Sequence, residues 1–309
     1  MRRLSGLVVV FVAVALAGSS GGSGAAPGTP RMLFDDFAYA GRVQLAAHGW
    51  IVRTKPGWPG VPKATWSEDD VTLVADPARS GNRLLRLTSS TDGTAEGTRQ
   101  TQVCHQRNYR EGTYATRVRF RDRPTTGPGG DRLVETFYAI SPLAKPLDPS
   151  YSELDFEYLP DGGWGLDAPT LWVTSWETFS PEPNWKAVNT SASSVGSKDG
   201  WHVLVLQVAH GSMTYFVDGI PLASHGGRFY PEVPMSINYN LWFIRDGLQA
   251  ARESRRYEED VDWVFHAAGA ELSPRQVLAK VAQLRQAKTA FRDTVPAAGR
   301  RTLESPCDF

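Results

Sequence analysis

Cysteine is scarce in this 309-residue chain, with only Cys104 and Cys307. Two thiolates cannot complete a four-ligand structural zinc site, and Cys104-His105 lacks metal-ligand spacing. The six His residues show no paired ligand spacing either, so none is assigned a function. An excess of charge of one sign is also missing. With 33 basic and 33 acidic side chains the formal net charge is zero. Nothing therefore points to nucleic acid, an anionic membrane or a strongly charged substrate as partner. Long apolar runs are lacking too. Leu7 to Ala17 is apolar throughout, but it falls well short of the roughly 20 residues that span a bilayer. No repeat of about 33 to 45 residues occurs, which argues against propellers and solenoids.

What is present is aromatic and turn-rich. The chain has ten Trp, 29 Gly and 21 Pro, a composition that suits a β-rich domain with a ligand groove better than a helical bundle. The N-terminus begins Met1-Arg2-Arg3, then the apolar stretch, then small residues from Gly18 to Ala26. That is the pattern of a secretory signal peptide over residues 1–26, so a secreted, soluble, monomeric protein is expected, with no membrane partner after cleavage. In an oxidising compartment the two cysteines are expected to form one disulfide tying the C-terminal tail to the body. Residues 27–268 read as one β domain and 269–309 as a helical extension with a tethered tail.

Short apolar or alternating runs read as strands at 71–74, 83–87, 113–120, 133–140, 154–159, 171–176, 203–208, 213–217, 237–244 and 261–265. Asp218-Gly219 lies between two of them and signals a hairpin. Ten or more strands without intervening helices point to an all-β, two-sheet antiparallel sandwich or jelly roll. One amphipathic helix is expected near the end. Ser273 serves as its N-cap and Pro274 as its first residue, with Val277, Val281, Leu284 and Phe291 on one stripe, and Pro296 stops it. Long loops are expected at 54–64, 121–131, 141–150 and 184–200, and loops of that length often shape a site. Asn189-Thr190-Ser191 matches a glycosylation sequon.

The chemistry concentrates in Tyr151-Ser152-Glu153-Leu154-Asp155-Phe156-Glu157-Tyr158. On a strand, residues two apart share a face, so Tyr151, Glu153, Asp155 and Glu157 point one way and Leu154, Phe156 and Tyr158 the other. Three carboxyls in line, with no basic residue interleaved, must raise at least one pKa. A solvated acidic strand would not be backed by Leu154 and Phe156, and a calcium loop would not be a regular strand. Glu153 and Glu157 have Cα atoms about 13 Å apart at ~3.3 Å per residue. Side chains leaning together close that to about 5–6 Å, near the separation used by retaining glycosidases. This spacing does not say which Glu is nucleophile and which is acid.

At this segment the chain resembles glycoside hydrolase family 16, the laminarinase, lichenase and xyloglucan-transferase group. Glu153-Leu154-Asp155-Phe156-Glu157 matches its Glu-aliphatic-Asp-X-Glu signature. Asn108 to Tyr114 followed by Arg117, Leu133 to Tyr138, Trp201-His202, Phe216 to Gly219 and Val261 to Val264 are similar to its flanking segments, in order. The likeness covers about Leu33 to Phe265 and leaves out the tail from Glu271. It implies a jelly roll of the concanavalin A-like kind with an open cleft on its concave face. It also implies Glu153 as nucleophile, Asp155 as helper and Glu157 as acid/base. The absence of an extra residue between Asp155 and Glu157 resembles the lichenase pattern and inclines the substrate towards a β-glucan. No cofactor is required, though Asp262 lies where some members hold a structural calcium.

A sugar cleft needs aromatic platforms. Tyr151, Trp172 and Trp176 are the first candidates, Trp164, Trp185 and Trp242 the next, and Arg117 is a candidate for a sugar hydroxyl. The reading that results is a secreted retaining endo-β-glycosidase acting on a polysaccharide. Its alternatives are a transglycosylase with the same intermediate and a non-catalytic, lectin-like binding module.

Overall fold

The structure, a computed structural model, describes residues 31–298 and Cys307. The expected signal segment, residues 1–26, lies outside the described residues. In chain order the strands are β1 (Met32–Asp35), β2 (Trp50–Val52), β3 (Thr65–Trp66), β4 (Val71–Ala75), β5 (Arg83–Thr91), β6 (Arg99–His105), β7 (Gly112–Phe120), β8 (Leu133–Ile140), β9 (Glu153–Leu159), β10 (Thr170–Ser180), β11 (Lys186–Val195), β12 (Gly200–Ala209), β13 (Ser212–Val217), β14 (Ile220–Gly226), β15 (Ser236–Phe243), β16 (Arg255–Ala268) and β17 (Phe291–Asp293). Helix α1 (Arg42–Ala47) follows β1, and α2 (Pro274–Gln286) lies between β16 and β17.

The strands form a β-sandwich of two antiparallel layers joined through β5 and β6. One layer runs β2-β6-β15-β8-β9-β10-β11. The other runs β14-β13-β12-β7-β16 and continues along β16 with β5 and β4 at one end and β1 and β17 at the other. Among the described residues only the short pairing of β3 with β6 is parallel. The core between the layers is built by period-two alternation. From the first layer come Phe137, Leu154, Phe156, Tyr158, Leu171, Val173, Tyr239 and Leu241, and from the second Val118, Leu204, Leu206, Val208, Val261 and Val264, all in one buried cluster. Truncating a ring such as Phe156 to Ala would cost about 3–5 kcal/mol.

All ten expected strands are present. The Asp218-Gly219 turn joins β13 to β14, with φ of 51° and 82°, the two positive angles that a tight type I′ hairpin requires. The expected loop at 184–200 is corrected: its centre is β11, paired with β10 along its length. The segment is mostly Asn, Thr, Ser and Ala, so it has no apolar period. Its strand character comes from the partner it pairs with, a context effect on β propensity.

Helix α2 starts as expected. The Ser273 hydroxyl accepts from the Gln276 N–H and the Gln276 side chain reaches back, a capping box. Val277, Val281 and Leu284 are buried against Met32, Phe34, Trp263 and Phe265 on the outer side of the second layer. Phe291 is a correction. The helix ends at Gln286, Lys288 reverses the chain at φ 55°, and Phe291 opens β17, stacked on the His48 ring at 3.9 Å. A seven-residue offset keeps a helical period but does not keep the helix going. Cys104 and Cys307 are disulfide-bonded, as expected. Among the described residues no helix is long and apolar enough to cross a membrane.

Candidate active site

Strand β9 lies inside its layer, between β8 and β10. Register sets Glu153 opposite Trp176, Asp155 opposite Thr174 and Glu157 opposite Trp172 on β10. On β8, Tyr138 faces Asp155 and Thr136 faces Glu157. All of these side chains except the core residues between them open onto one cleft of about 410 Å³. The three carboxyls form its floor. Trp176, Phe179, Trp185 and Trp58 build one end, and Trp164, Trp172 and Trp242 the other. Trp58 and Trp185 pack at 5.9 Å between ring centroids, and Trp164 and Trp242 at 6.0 Å. Thr136, Tyr138 and Asn240 supply polar lining, and among the described residues no Lys or Arg lines the cleft.

The electrostatics follow from burial without a counter-cation. Burial pushes Glu153 up to about 7, against the pull of the Tyr151 hydroxyl, which donates to its Oε2 at 2.6 Å. Burial and the charge on Glu153 push Glu157 up to about 8, opposed by the Trp164 indole. Asp155 is raised well above the usual carboxylate range by burial and by both glutamates, although Trp176 Nε1 donates to its Oδ2 at 2.9 Å. Each acid thus has an aromatic donor, and the three hold less than their full charge at neutral pH. The arrangement suits a chemistry in which one carboxylate attacks and another holds a proton.

The structure also places all seven of the sequence-chosen residues beyond the trio. Trp164, Trp172, Trp176, Trp185 and Trp242 line the cleft, and the Trp172 indole N–H there has no partner among the described residues. Tyr151 does not offer a stacking face. Its ring is 2% exposed, packed edge-on against Phe179 at 5.3 Å, and its role is the hydrogen bond to Glu153. Arg117 is also corrected. It sits on β7 in the other layer, over the Trp201 ring, with Nη1 donating to Asp262 at 2.9 Å. Asp262 does not fit a calcium site. Burial would raise its carboxyl, but hydrogen bonds from Arg285 and from Asn82 and Arg117 hold it below the usual range. Two guanidinium groups occupy the place a divalent cation would need.

Sequence reasoning missed Trp58, Tyr138 and Asn240 as cleft residues. Trp58 lies in the long 54–64 loop already suspected of shaping a site. Asn240 shares strand parity with Trp242, so either signal was available. The sequon residue Asn189 also lines the cleft, opposite Trp176.

No family model and no curated protein matches the chain. Solved structures do. A β-glucanase of Bacillus licheniformis superposes with a TM-score of 0.54 at 15% identity, over 77% of this chain and 99% of that one. A glycoside hydrolase family 16 endo-glucanase from Bacteroides ovatus gives 0.55 at 14%, over 75% and 98%. A laminarinase from Flavobacterium sp. UMI-01 gives 0.53 at 12%, over 76% and 98%. The architecture is thus that of a concave-cleft β-jelly roll. More narrowly, it is a glycoside hydrolase family 16-like fold.

Proposed function

We propose that this protein is a retaining endo-β-glycosidase that cleaves a neutral, β-glucan-like polysaccharide by double displacement. The observation that carries the reading is the row Glu153, Asp155 and Glu157 on the floor of a tryptophan-walled cleft. Glu153, whose carboxylate the Tyr151 hydroxyl stabilises, loses its proton first and is the nucleophile. Glu157, higher at about 8, keeps its proton and delivers it to the leaving glycosidic oxygen as Glu153 attacks the anomeric carbon. The Glu153–carbon bond forms as the carbon–oxygen bond breaks. Glu157, now a carboxylate, then takes a proton from the water that releases the sugar from Glu153. Asp155 between them holds a proton that it donates towards the carboxylates. No cofactor enters these steps.

The substrate class is supported by the lining and by the neighbours. Bare Trp faces suit the C–H faces of sugars, and a cleft lined by three acids, with no Lys or Arg among the described residues, does not welcome a polyanion. The neighbours of the same fold are named as a β-glucanase, an endo-glucanase and a laminarinase. Export is part of the proposal, supported by the Arg-rich, apolar N-terminus and by the disulfide.

The test is a panel of β-glucans, galactans and xyloglucan, with new reducing ends measured for the wild type, Glu153→Gln and Glu157→Ala. Activity on one polymer, lowered by about 10²–10⁴-fold in Glu157→Ala, is expected. NMR of the first-formed product should reveal a retained β anomer. An inverted product, or an active Glu153→Gln enzyme, refutes the mechanism. Products longer than the substrate would identify a transglycosylase, and saturable binding without new reducing ends a lectin-like module.

A further inference from the structure

Under the cleft floor lies a chain of polar side chains that the glycosidase steps do not use. Arg53, next to β2, is 1% exposed, and its guanidinium lies over the Trp66 ring at 3.7 Å. Arg53 Nη1 donates to Gln102 Oε1 at 2.9 Å, and Gln102 Nε2 donates to the Tyr138 hydroxyl oxygen at 2.8 Å. Gln102, on β6, is fully buried, whereas Tyr138 reaches the cleft beside the carboxyls.

The chemistry of the groups gives this chain a direction. A guanidinium only donates, so the face of the Gln102 amide towards Arg53 must be its oxygen. The amide NH₂ is therefore turned towards Tyr138, which must accept. Asn240 also lines the cleft, and its Oδ1 has no partner among the described residues. With its oxygen accepting, the phenol has one proton to give and no protein acceptor among the described residues. Tyr138 stands opposite Asp155 in register, so the open direction is the cleft.

We propose that Arg53, Gln102 and Tyr138 form a one-way hydrogen-bond relay that fixes Tyr138 as a donor to an oxygen of the sugar seated against Glu153. Tyr138 is then a substrate-binding residue, and Gln102 and Arg53 are positioning residues. The ligand it selects is a sugar presenting a hydroxyl or ring oxygen there. This rests on reading the cleft as a glycosidase site, but the direction of the relay does not.

Two variants separate the relay from mere packing. Tyr138→Phe removes the donor. Gln102→Glu keeps the pairing with Arg53 and keeps the phenol, but offers Tyr138 an acceptor and draws its proton away from the cleft. Each should lower kcat/KM by about tenfold, the worth of one hydrogen bond, and weaken oligosaccharide binding to the Glu153→Gln protein similarly. The double variant should be no worse than either single one. Wild-type activity in Gln102→Glu, or additive losses, overturns the relay. A neutron structure of the D₂O-exchanged wild type reads the direction without any substrate. A deuteron on Tyr138 Oη aimed at Gln102 or Asn240 overturns the proposal, and one aimed into the cleft supports it. If that deuteron points into the cleft while no polymer is cleaved, the relay stands and the glycosidase reading fails.

Discussion

Replacing Tyr151 by Phe tests which glutamate is the nucleophile. The ring stays, so its packing on Phe179 stays, and only the hydroxyl that donates to Glu153 at 2.6 Å is lost. That bond favours the carboxylate form, so its loss raises the Glu153 pKa above about 7. A hydrogen bond to a charged group contributes about 1.5–3 kcal/mol, and one pKa unit is about 1.4 kcal/mol, so a rise of about one to two units is expected. A nucleophile must be ionised to attack. At pH 6 roughly a tenth of Glu153 is ionised with a pKa near 7, and roughly a hundredth or less after the rise. The acid limb of kcat/KM should therefore move up by about one unit or more, with activity at pH 6 down about tenfold and the loss shrinking as the pH climbs above both values. The assay is kcat/KM against pH, from about 4.5 to 9, for both proteins on the polymer that the wild type cleaves. An acid limb that does not move, or a basic limb that moves instead, would refute the assignment of Glu153 and the reasoning behind it.

Trp58→Ala should raise KM several-fold with kcat little changed, because it removes the ring packed at a tilt against Trp185 at the cleft end without touching the carboxyls; a fall in kcat at constant KM would contradict that position. Glu157→Gln should stabilise the fold at alkaline pH. The folded pKa of Glu157 is raised, so the folded state holds its proton while the unfolded state releases it, and stability falls as pH rises from about 4.5 to about 8. Thermal melts should therefore favour the variant at pH 9 by about 2 kcal/mol or more and converge with the wild type near pH 4; parallel curves would count against a buried, raised carboxyl. Cys104→Ser opens a bridge that closes 203 residues, so a loss of about 2–5 kcal/mol and a clearly lower Tm are expected.

Much of this was legible in the sequence because strand parity is a simple rule. Glu153, Asp155 and Glu157 alternate with Leu154, Phe156 and Tyr158, and the two sets went to the cleft and the core. The signals that failed did so for physical reasons. The edge strand β11 has small polar residues, so only its neighbour reveals it. Tyr151 has the right parity for the cleft but lies just before the strand, where Phe179 covers it. Arg117 was carried over from a family likeness, yet parity and layer turn it towards Asp262. Tyr138 needed the register between β8 and β9, which one strand's sequence does not contain.

Buried acids alone do not mark a site in this protein, and the contrast with the others sharpens the assignment. Asp260 is buried, but Arg86 and Arg121 hold its carboxyl below the usual range against the effect of burial. Asp131 is matched by Arg255, with Nε and Nη2 donating at 2.6 and 2.8 Å. Glu135 and Glu259 are raised mainly by burial, and Glu259 is pushed up further by the charge on Glu135. Glu259 Oε1 has no partner among the described residues. By the measure of perturbed pKa these two rival the β9 trio. They differ in access. Glu135 is 1% exposed and Glu259 fully buried, and neither lines the cleft. A pair of raised carboxyls there serves packing, because neither opens onto the cleft. The trio is as costly to ionise, yet it opens onto a groove walled by Trp rings. The cost of three carboxyls without a counter-cation falls where the cleft is open, and that coincidence of strain with access is what supports the proposed role of β9 as the reacting strand.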